Sequence, residues 1–318
     1  MKKAIVTGAT GFIGSVFVKT LIDNQTSVLA LGRKSYDKIN KDRVALLTGA
    51  TYVQIDMKDI DALPDQARDA GWTSDEPCVF YNLAWGGVSR LSDMDHAAQL
   101  RNISWSVKAL MAAKELNCEK FIHIGTMEEA FTHKYLSLDY HENSEYNRHV
   151  VYSVAKIASK NFLKMFSEKA GVPLLFANNS HVMGPNDDKD SFLQVTLQKL
   201  INGGELIFST GEQMFDVISV KDCALAYVAI GKKGKPGQNY WVGSGQARPL
   251  KEYVKTMASL YPSGQPLRFG EMPYNDISLK KEDFSIESLT RDTGFLPTQK
   301  YEDIVHELHS WLMGLANS

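Results

Sequence analysis

Cysteine is scarce in this chain of 318 residues: there are three, Cys78, Cys118 and Cys223. They are odd in number, widely spaced and without a CxxC pair, which argues against a disulfide framework and against a thiolate zinc site. Free thiols in a reducing compartment are the simplest expectation, and with them a cytoplasmic location. A surplus of charge of one sign is also missing. The formal net charge is -2, so composition offers no electrostatic footprint for nucleic acid or for an anionic membrane. No apolar run approaches the ~20 residues needed to span a bilayer. Met-Lys-Lys runs straight into a strand pattern and is read as the start of that strand rather than as a signal peptide. Histidine clusters are lacking too. His133, His141, His149 and His181 are scattered through predicted loops; they are read as structural or solvated, and no metal site is expected. No internal repeat or low-complexity segment is present.

What is there is an ordinary globular composition, 44% hydrophobic, of a length suited to one large domain or a large domain with a smaller one. Short apolar runs alternate with helical periods. "KAIVTG", "SVLALGR", "ATYVQIDM", "PCVFYNLAW", "KFIHIGT" and "VPLLFANNS" read as six strands. "FIGSVFVKTLIDN", "SWSVKALMAAKELN" and "VYSVAKIASKNFLKMFSEKA" read as helices. This alternation predicts right-handed βαβ units: an α/β fold, a Rossmann-type doubly wound parallel sheet covered on both faces. The rhythm breaks in the last third, where "GGELIFSTG", "KKGKPGQNYWVGSG" and "YPSGQPLRFGEMPYND" are rich in turn residues before a closing helix, "KYEDIVHELHSWLMG". The expected division is a dinucleotide-binding domain over residues 1–180 and, over 181–318, mainly a smaller C-terminal substrate lobe that can return segments to the sheet.

"TGATGFIG" follows the first strand and opens the first helix. Gly8 permits the tight turn, Gly11 lets backbone approach a pyrophosphate, and Gly14 lets helix and strand pack closely. The helix N-terminus supplies the attraction for an anion. Dinucleotide binding is therefore expected, with Thr10, Phe12 and Ile13 part of the same turn. The second strand ends in Gly32-Arg33-Lys34. No carboxylate stands there to repel a 2′-phosphate, and two cations are available to hold one. NADP is preferred, and NAD stays open if Arg33 and Lys34 are merely solvated. Asp56, with Met57 beside it after the third strand, is placed either to meet the adenine or to cap a helix.

"YSVAK" puts Tyr152 and Lys156 four residues apart, on one face of a helix. A positive neighbour lowers a phenol's pKa from about 10, which would let Tyr152 pass a proton near neutrality. Many amphipathic helices carry this spacing by chance.

Taken together, "TGATGFIG", "IDM", "NLAW", "KFIHIGT", "YSVAK" and "FDVISVKDCALAY", in that order, with the closing "GFLPTQKYEDIVHELHSWL", resemble the extended short-chain dehydrogenase/reductase family, in its nucleotide-sugar branch of epimerases, dehydratases and reductases. The resemblance implies a catalytic set of Thr126, Tyr152 and Lys156. Thr126 would hold the substrate oxygen, Tyr152 exchange the proton, and Lys156 tune Tyr152 and touch the nicotinamide ribose. Leu83, Ala84 and Trp85 would line the cofactor, and Asn102, opening the next helix, would support the site or cap that helix. Gly87, Met127, Glu128, Asn179 and Arg268 would border the substrate, a nucleotide-diphosphate sugar.

Relatives that dehydrate nucleotide hexoses carry Thr-Asp-Glu after the fifth strand, whereas this chain has Thr126-Met127-Glu128. A thioether donates no proton, so the resemblance leans to an NADPH-dependent reductase of a 4-keto-6-deoxy sugar nucleotide. An epimerase holding NAD and a non-enzymatic dinucleotide-sensing protein are the alternatives. Asn178 and His181 stand where relatives often have Arg and Asn, and Phe215-Asp216-Val217 where they have Arg-Asp-Phe. A homodimer through the long helices is also implied, with Val154, Ile157, Phe162 and Leu163 as contacts unless the monomer buries them.

Overall fold

The computed structural model describes residues 1–87, 95–137, 151–187, 190–274 and 276–316; His141 and His149 lie outside them. In chain order the strands are β1 Lys3–Thr7, β2 Ser27–Gly32, β3 Thr51–Gln54, β4 Cys78–Asn82, β5 Lys120–Thr126, β6 Leu174–Asn179, β7 His181–Met183, β8 Ile207–Phe208, β9 Met214–Phe215, β10 Val217–Ser219, β11 Asn239–Val242, β12 Arg248–Pro249 and β13 Arg268–Phe269. The helices are α1 Phe12–Asp23, α2 Lys41–Leu47, α3 Leu63–Asp69, α4 His96–Glu115, α5 Glu128–Leu136, α6 Val151–Ala170, α7 Phe192–Asn202, α8 Val220–Lys233, α9 Leu250–Leu260, α10 Glu287–Thr293 and α11 Tyr301–Ala316.

Seven strands form one sheet in the order β11-β6-β5-β4-β1-β2-β3, every neighbouring pair parallel. The chain starts in the middle at β1, builds outward through β2 and β3, then returns to β4 on the other side. That reversal opens a crevice at the carboxyl ends of β1 and β4, where doubly wound sheets bind ligands. Successive residues of a strand face opposite layers. Ala4 and Val6 join one core with Phe17 of α1 and Cys223 and Tyr227 of α8. Ile5 joins the other with Leu63 of α3, Leu110 of α4 and Leu163 of α6. All five residues of β1 and of β4 are buried, so these strands read as continuous rather than alternating apolar runs. A third core, with Leu193 and Leu197 of α7, Met257 of α9 and Val305 and Leu308 of α11, belongs to the C-terminal segments. The three cysteines are free and buried.

The predicted α/β sheet is present, with three differences of extent. The turn-rich "KKGKPGQNYWVGSG" contains β11, which pairs with β6 at the sheet edge. Its four residues are hidden in the sequence by flanking glycine and proline, although Tyr240 and Val242 are both fully buried. Helix α4 starts at His96, capped by Asp95 Oδ1 on the N–H of Ala98 at 3.0 Å. Asn102 is therefore inside the helix rather than at its opening. Helix α5, directly after Thr126-Met127, has no strong apolar period and was not foreseen. Among the dimer candidates, Leu163 is core at 0% exposure, while Val154 and Phe162 are each 48% exposed. Among the described residues no helix is long and apolar enough to cross a membrane, and no cluster of His, Cys, Asp and Glu could hold a metal ion.

Candidate active site

The glycine turn joins β1 to α1 where the crevice opens. Gly8 adopts φ +70°, and a Cβ there would press on the backbone of Ala84 at the end of β4. A Cβ on Gly14 would run into the carbonyl oxygen of Gly8. Gly11 occupies the N-cap without a side-chain hydrogen bond, and no acidic residue stands in the first turn. The N–H groups around Phe12 and Ile13 are thus left to an anion. The turn is braced from outside by Arg43, whose guanidinium donates to the carbonyl of Thr10 at 3.3 Å and to that of Asn186 at 2.8 Å. These features fit a dinucleotide's pyrophosphate. Arg33 and Lys34 are exposed at the end of β2, and among the described residues neither takes a carboxylate partner. Asp56 caps the short helical turn at Met57–Ala62, accepting from the N–H of Lys58 at 3.1 Å.

Across the crevice, Leu83, Ala84 and Trp85 continue from β4. Thr7 Oγ1 accepts the N–H of Ala84 at 3.0 Å and donates to Asn82 Oδ1 at 2.9 Å. The next loop is held by α4. Asn102 accepts from the N–H of Gly86 at 2.7 Å and donates to its carbonyl at 2.9 Å. Gln99, three residues earlier on the same helix face, accepts from Trp85 Nε1 at 2.7 Å. Gly87 has φ +84°, and a Cβ there would meet the Gln99 amide. Asn102 thus holds the Gly86 peptide from within α4, and Gln99 is a partner the sequence did not announce.

Trp85 meets the helix that carries Tyr152 and Lys156. Its ring lies 6.1 Å from that of Tyr152, edge to face, and Lys156 Nζ lies 3.9 Å over the indole centroid. Lys156 also donates to the carbonyl of Ile124 on β5 at 2.8 Å. Thr126, at the carboxyl end of β5, brings its side chain within reach of the Tyr152 hydroxyl. Thr126, Tyr152, Lys156 and Trp85 therefore converge at one place. The expected downward pull on Tyr152 is not found. Burial and then the charge of Glu129 push the phenol above its ordinary value, the Thr126 side chain acts against them, and Glu128 adds to the rise. The reason is geometric: the Lys156 ammonium is engaged by Ile124 and Trp85 and stays 6.0 Å from the Tyr152 ring centre.

The expected substrate residues are spread out. Met127 donates its N–H to the carbonyl of Asn179 at 2.8 Å and packs with the cluster around Phe131 and Phe284. Glu128 is half-buried at the start of α5, its N–H toward Thr126 Oγ1 at 3.4 Å. The Asn179 amide is committed beneath the sheet, donating to the Tyr227 hydroxyl at 2.6 Å. Arg268 stands on β13 in the C-terminal part, with Glu205 at 3.7 Å and Glu271 at 3.6 Å. His181 Nε2 is buried without a hydrogen-bond partner, and burial depresses its pKa to about 4. Neutral His123 is likewise driven well below its ordinary value by burial and by Lys156 and Lys160. Its Nδ1 lies 3.0 Å from Asn82 Nδ2.

Comparison with known proteins agrees with this arrangement. The profile of the NAD dependent epimerase/dehydratase family matches residues 4–243. The chain is 25% identical to dTDP-glucose 4,6-dehydratase of Shigella flexneri, over 99% of this chain and 94% of that enzyme. It is 24% identical to the low-salt glycan biosynthesis protein Agl12 of Haloferax volcanii, over 98% of each. Among solved structures it is similar to UDP-N-acetylglucosamine 4-epimerase from Methanobrevibacter ruminantium M1 in complex with UDP-N-acetylmuramic acid. The TM-score is 0.79 at 21% identity, over 99% of both chains. It is similar as well to UDP-glucuronic acid 4-epimerase from Bacillus cereus in complex with UDP-glucuronic acid and NAD, with TM-score 0.77 at 20% identity, over 98% of this chain and 99% of that one. With the glycine turn, the parallel sheet and the Thr126-Tyr152-Lys156 convergence in place, the chain belongs to the NAD-dependent epimerase/dehydratase family of extended short-chain dehydrogenase/reductase enzymes.

Proposed function

We propose that this enzyme reduces the ketone of a 4-keto-6-deoxy sugar nucleotide with NADPH. The observation that carries the reading is the character of the proton donors around Thr126. Tyr152, beside Thr126 and Trp85, is a phenol and so protonated at neutral pH, as a reductase's proton donor must be. Met127, beside it in the chain, can neither give nor take a proton, which argues against loss of a sugar hydroxyl by acid catalysis.

When bound, the reduced nicotinamide supplies a hydride for the ketone carbon. Thr126 holds the ketone oxygen, and Tyr152 donates its proton to that oxygen as charge develops on it. Lys156, fixed by Ile124 and Trp85, presents its ammonium to the ribose and stabilises the phenolate left behind. The first turn of α1 takes the pyrophosphate, and Arg33 and Lys34 take the 2′-phosphate. Gly87, Met127 and Glu128 border the sugar, and Asn179 shapes that wall through the Met127 peptide. Arg268 is assigned to the diphosphate end, where it would exchange carboxylate partners for phosphate. Residues 1–180 form the dinucleotide part and 181–318 mainly the substrate lobe. A second copy would pack on the exposed Val154 and Phe162 of α6, and buried free thiols support a cytoplasmic location.

The test is NADPH consumption, followed at 340 nm, with a 4-keto-6-deoxy sugar nucleotide. Stoichiometric oxidation supports the reading. A second reading, a 4-epimerase that keeps NAD, draws on the similarity to the two 4-epimerases above. It is favoured instead if the purified protein carries non-exchanging NAD and interconverts nucleotide sugars without net NADPH use.

A further inference from the structure

Behind Thr126 lies an ion pair that the site described above does not use. Glu129 is 2% exposed and Lys160 9% exposed. Glu129 Oε2 and Lys160 Nζ are 2.6 Å apart. The other oxygen of Glu129 accepts the backbone N–H of Thr126 at 3.0 Å. Lys160 also donates to Asn178 Oδ1 and, at 3.4 Å, to Asn239 Oδ1. Lys160 lies eight residues beyond Tyr152 on α6, two turns along the same face. Gly125 is what allows the close approach, since a Cβ there would collide with Glu129 Oε1 and Asn178 Oδ1. The peptide that carries Thr126 therefore rests directly on this pair.

Stability is a poor reason for such a pair, because the cost of removing both charges from water largely offsets their attraction. We propose that Glu129, anchored by Lys160, is a positioning residue: it fixes the Thr126 peptide at the end of β5 and so sets the surroundings in which Tyr152 gives up its proton. This rests on the reading of Thr126, Tyr152 and Lys156 as the reacting group. Glu129 is the largest charged contributor to the raised phenol of Tyr152. The titratable and charged groups facing the pair and the phenol are His123 from β5, Glu128, His133 and Lys134 from α5, Lys156 and Lys164 from α6, and Lys280 and Asp283 at the turn around Lys281–Phe284. Tyr227 approaches from α8. Glu129 and Lys160 also line a pocket of about 740 Å³ whose described lining includes neither Trp85 nor Tyr152.

The test is a pH titration of Tyr152 by ¹⁹F NMR in protein labelled with 3-fluorotyrosine, its resonance identified by its loss in Tyr152→Phe. Removing the carboxylate charge with Glu129→Gln lowers the Tyr152 midpoint by about one pH unit. The neutral pair Glu129→Gln/Lys160→Gln lowers it by less and keeps the site folded without a lone buried charge. Glu168→Gln, a charge removed further along α6, leaves it where it was. With NADPH and keto sugar, kcat falls at least tenfold in Glu129→Gln and its pH optimum moves down with the midpoint. A Tyr152 midpoint unchanged in both folded variants overturns the proposal, because a merely structural pair would alter melting temperature alone. If the reductase reading fails, wild type shows no turnover, and the titration still decides the role of Glu129.

Discussion

Lys156 sets its Nζ over the face of Trp85, 3.9 Å from the indole centroid, while donating to the carbonyl of Ile124 at 2.8 Å. One side chain thereby ties the loop after β4 to strand β5 and to helix α6. Trp85 is in turn pinned by Gln99 on α4. The Ile124 and Trp85 contacts fix the ammonium, which is the condition for electrostatic help without reorganisation.

Tyr152→Phe removes the hydroxyl that meets Thr126 and leaves the ring against Trp85. The fold and dinucleotide affinity are expected to be retained, and turnover to fall by about 10²–10⁴. Steady-state rates and a binding titration on the same preparation check both halves. Wild-type turnover in this variant would falsify the catalytic assignment.

Arg33 and Lys34 are exposed where β2 ends and have no carboxylate partner among the described residues. The Arg33→Ala/Lys34→Ala variant is expected to weaken NADPH by about 10- to 100-fold, the worth of one charge-assisted contact or two. NADH affinity should stay within about twofold. Fluorescence titration with both nucleotides measures the ratio; equal loss for both would remove the NADP preference.

His181 carries a pH dependence of stability. Burial holds it at about 4 in the folded protein, against about 6.5 when unfolded. The unfolded chain takes up the proton first as pH falls. The stability contributed by neutral His181 is therefore complete above pH ~6.5 and is lost as pH drops through ~4, with a ceiling of about 3 kcal/mol. Urea midpoints for wild type should fall through this window, and His181→Asn should flatten the slope. Parallel slopes for the two proteins would show that His181 is not the source.

Helix α6 turns Phe162 and Met165 outward at 48% and 62% exposure, next to core Leu163. Phe162→Glu places a charge on the face assigned to the second copy while sparing the core. Light scattering is expected to show a dimer for wild type and a monomer for the variant at the same melting temperature. A wild-type monomer would return these side chains to ordinary surface.

The glycine turn was legible because its glycines are demanded locally, within one strand-turn-helix unit: Gly8 by a positive φ and Gly14 by the carbonyl oxygen of Gly8. Tyr152 and Lys156 were legible because four residues make about one helical turn. The direction of the Tyr152 shift was not, since it depends first on burial and then on Glu129 and Glu128, brought up by α5. Helix α5 escaped for a related reason: without an apolar stripe its only signal is the packing around Phe131. The Gln99 and Asn102 clamp needs α4 laid beside the loop at Gly86, a contact between segments that no local pattern encodes.

By itself the order of residues determined the layered sheet, the glycine turn and the shared helix face of Tyr152 and Lys156, because each follows from short-range spacing of 2.0 or 3.6 residues; Thr126 completed the proposed trio only through the family resemblance. Only the tertiary structure decided what surrounds the trio. The register of β5 on β6 sets Gly125 opposite Asn178, and that pairing lets Lys160 and Glu129 close beneath Thr126. Such electrostatic neighbours come from distant parts of the chain, and their effect depends on separation and burial, which exist only once the chain has packed.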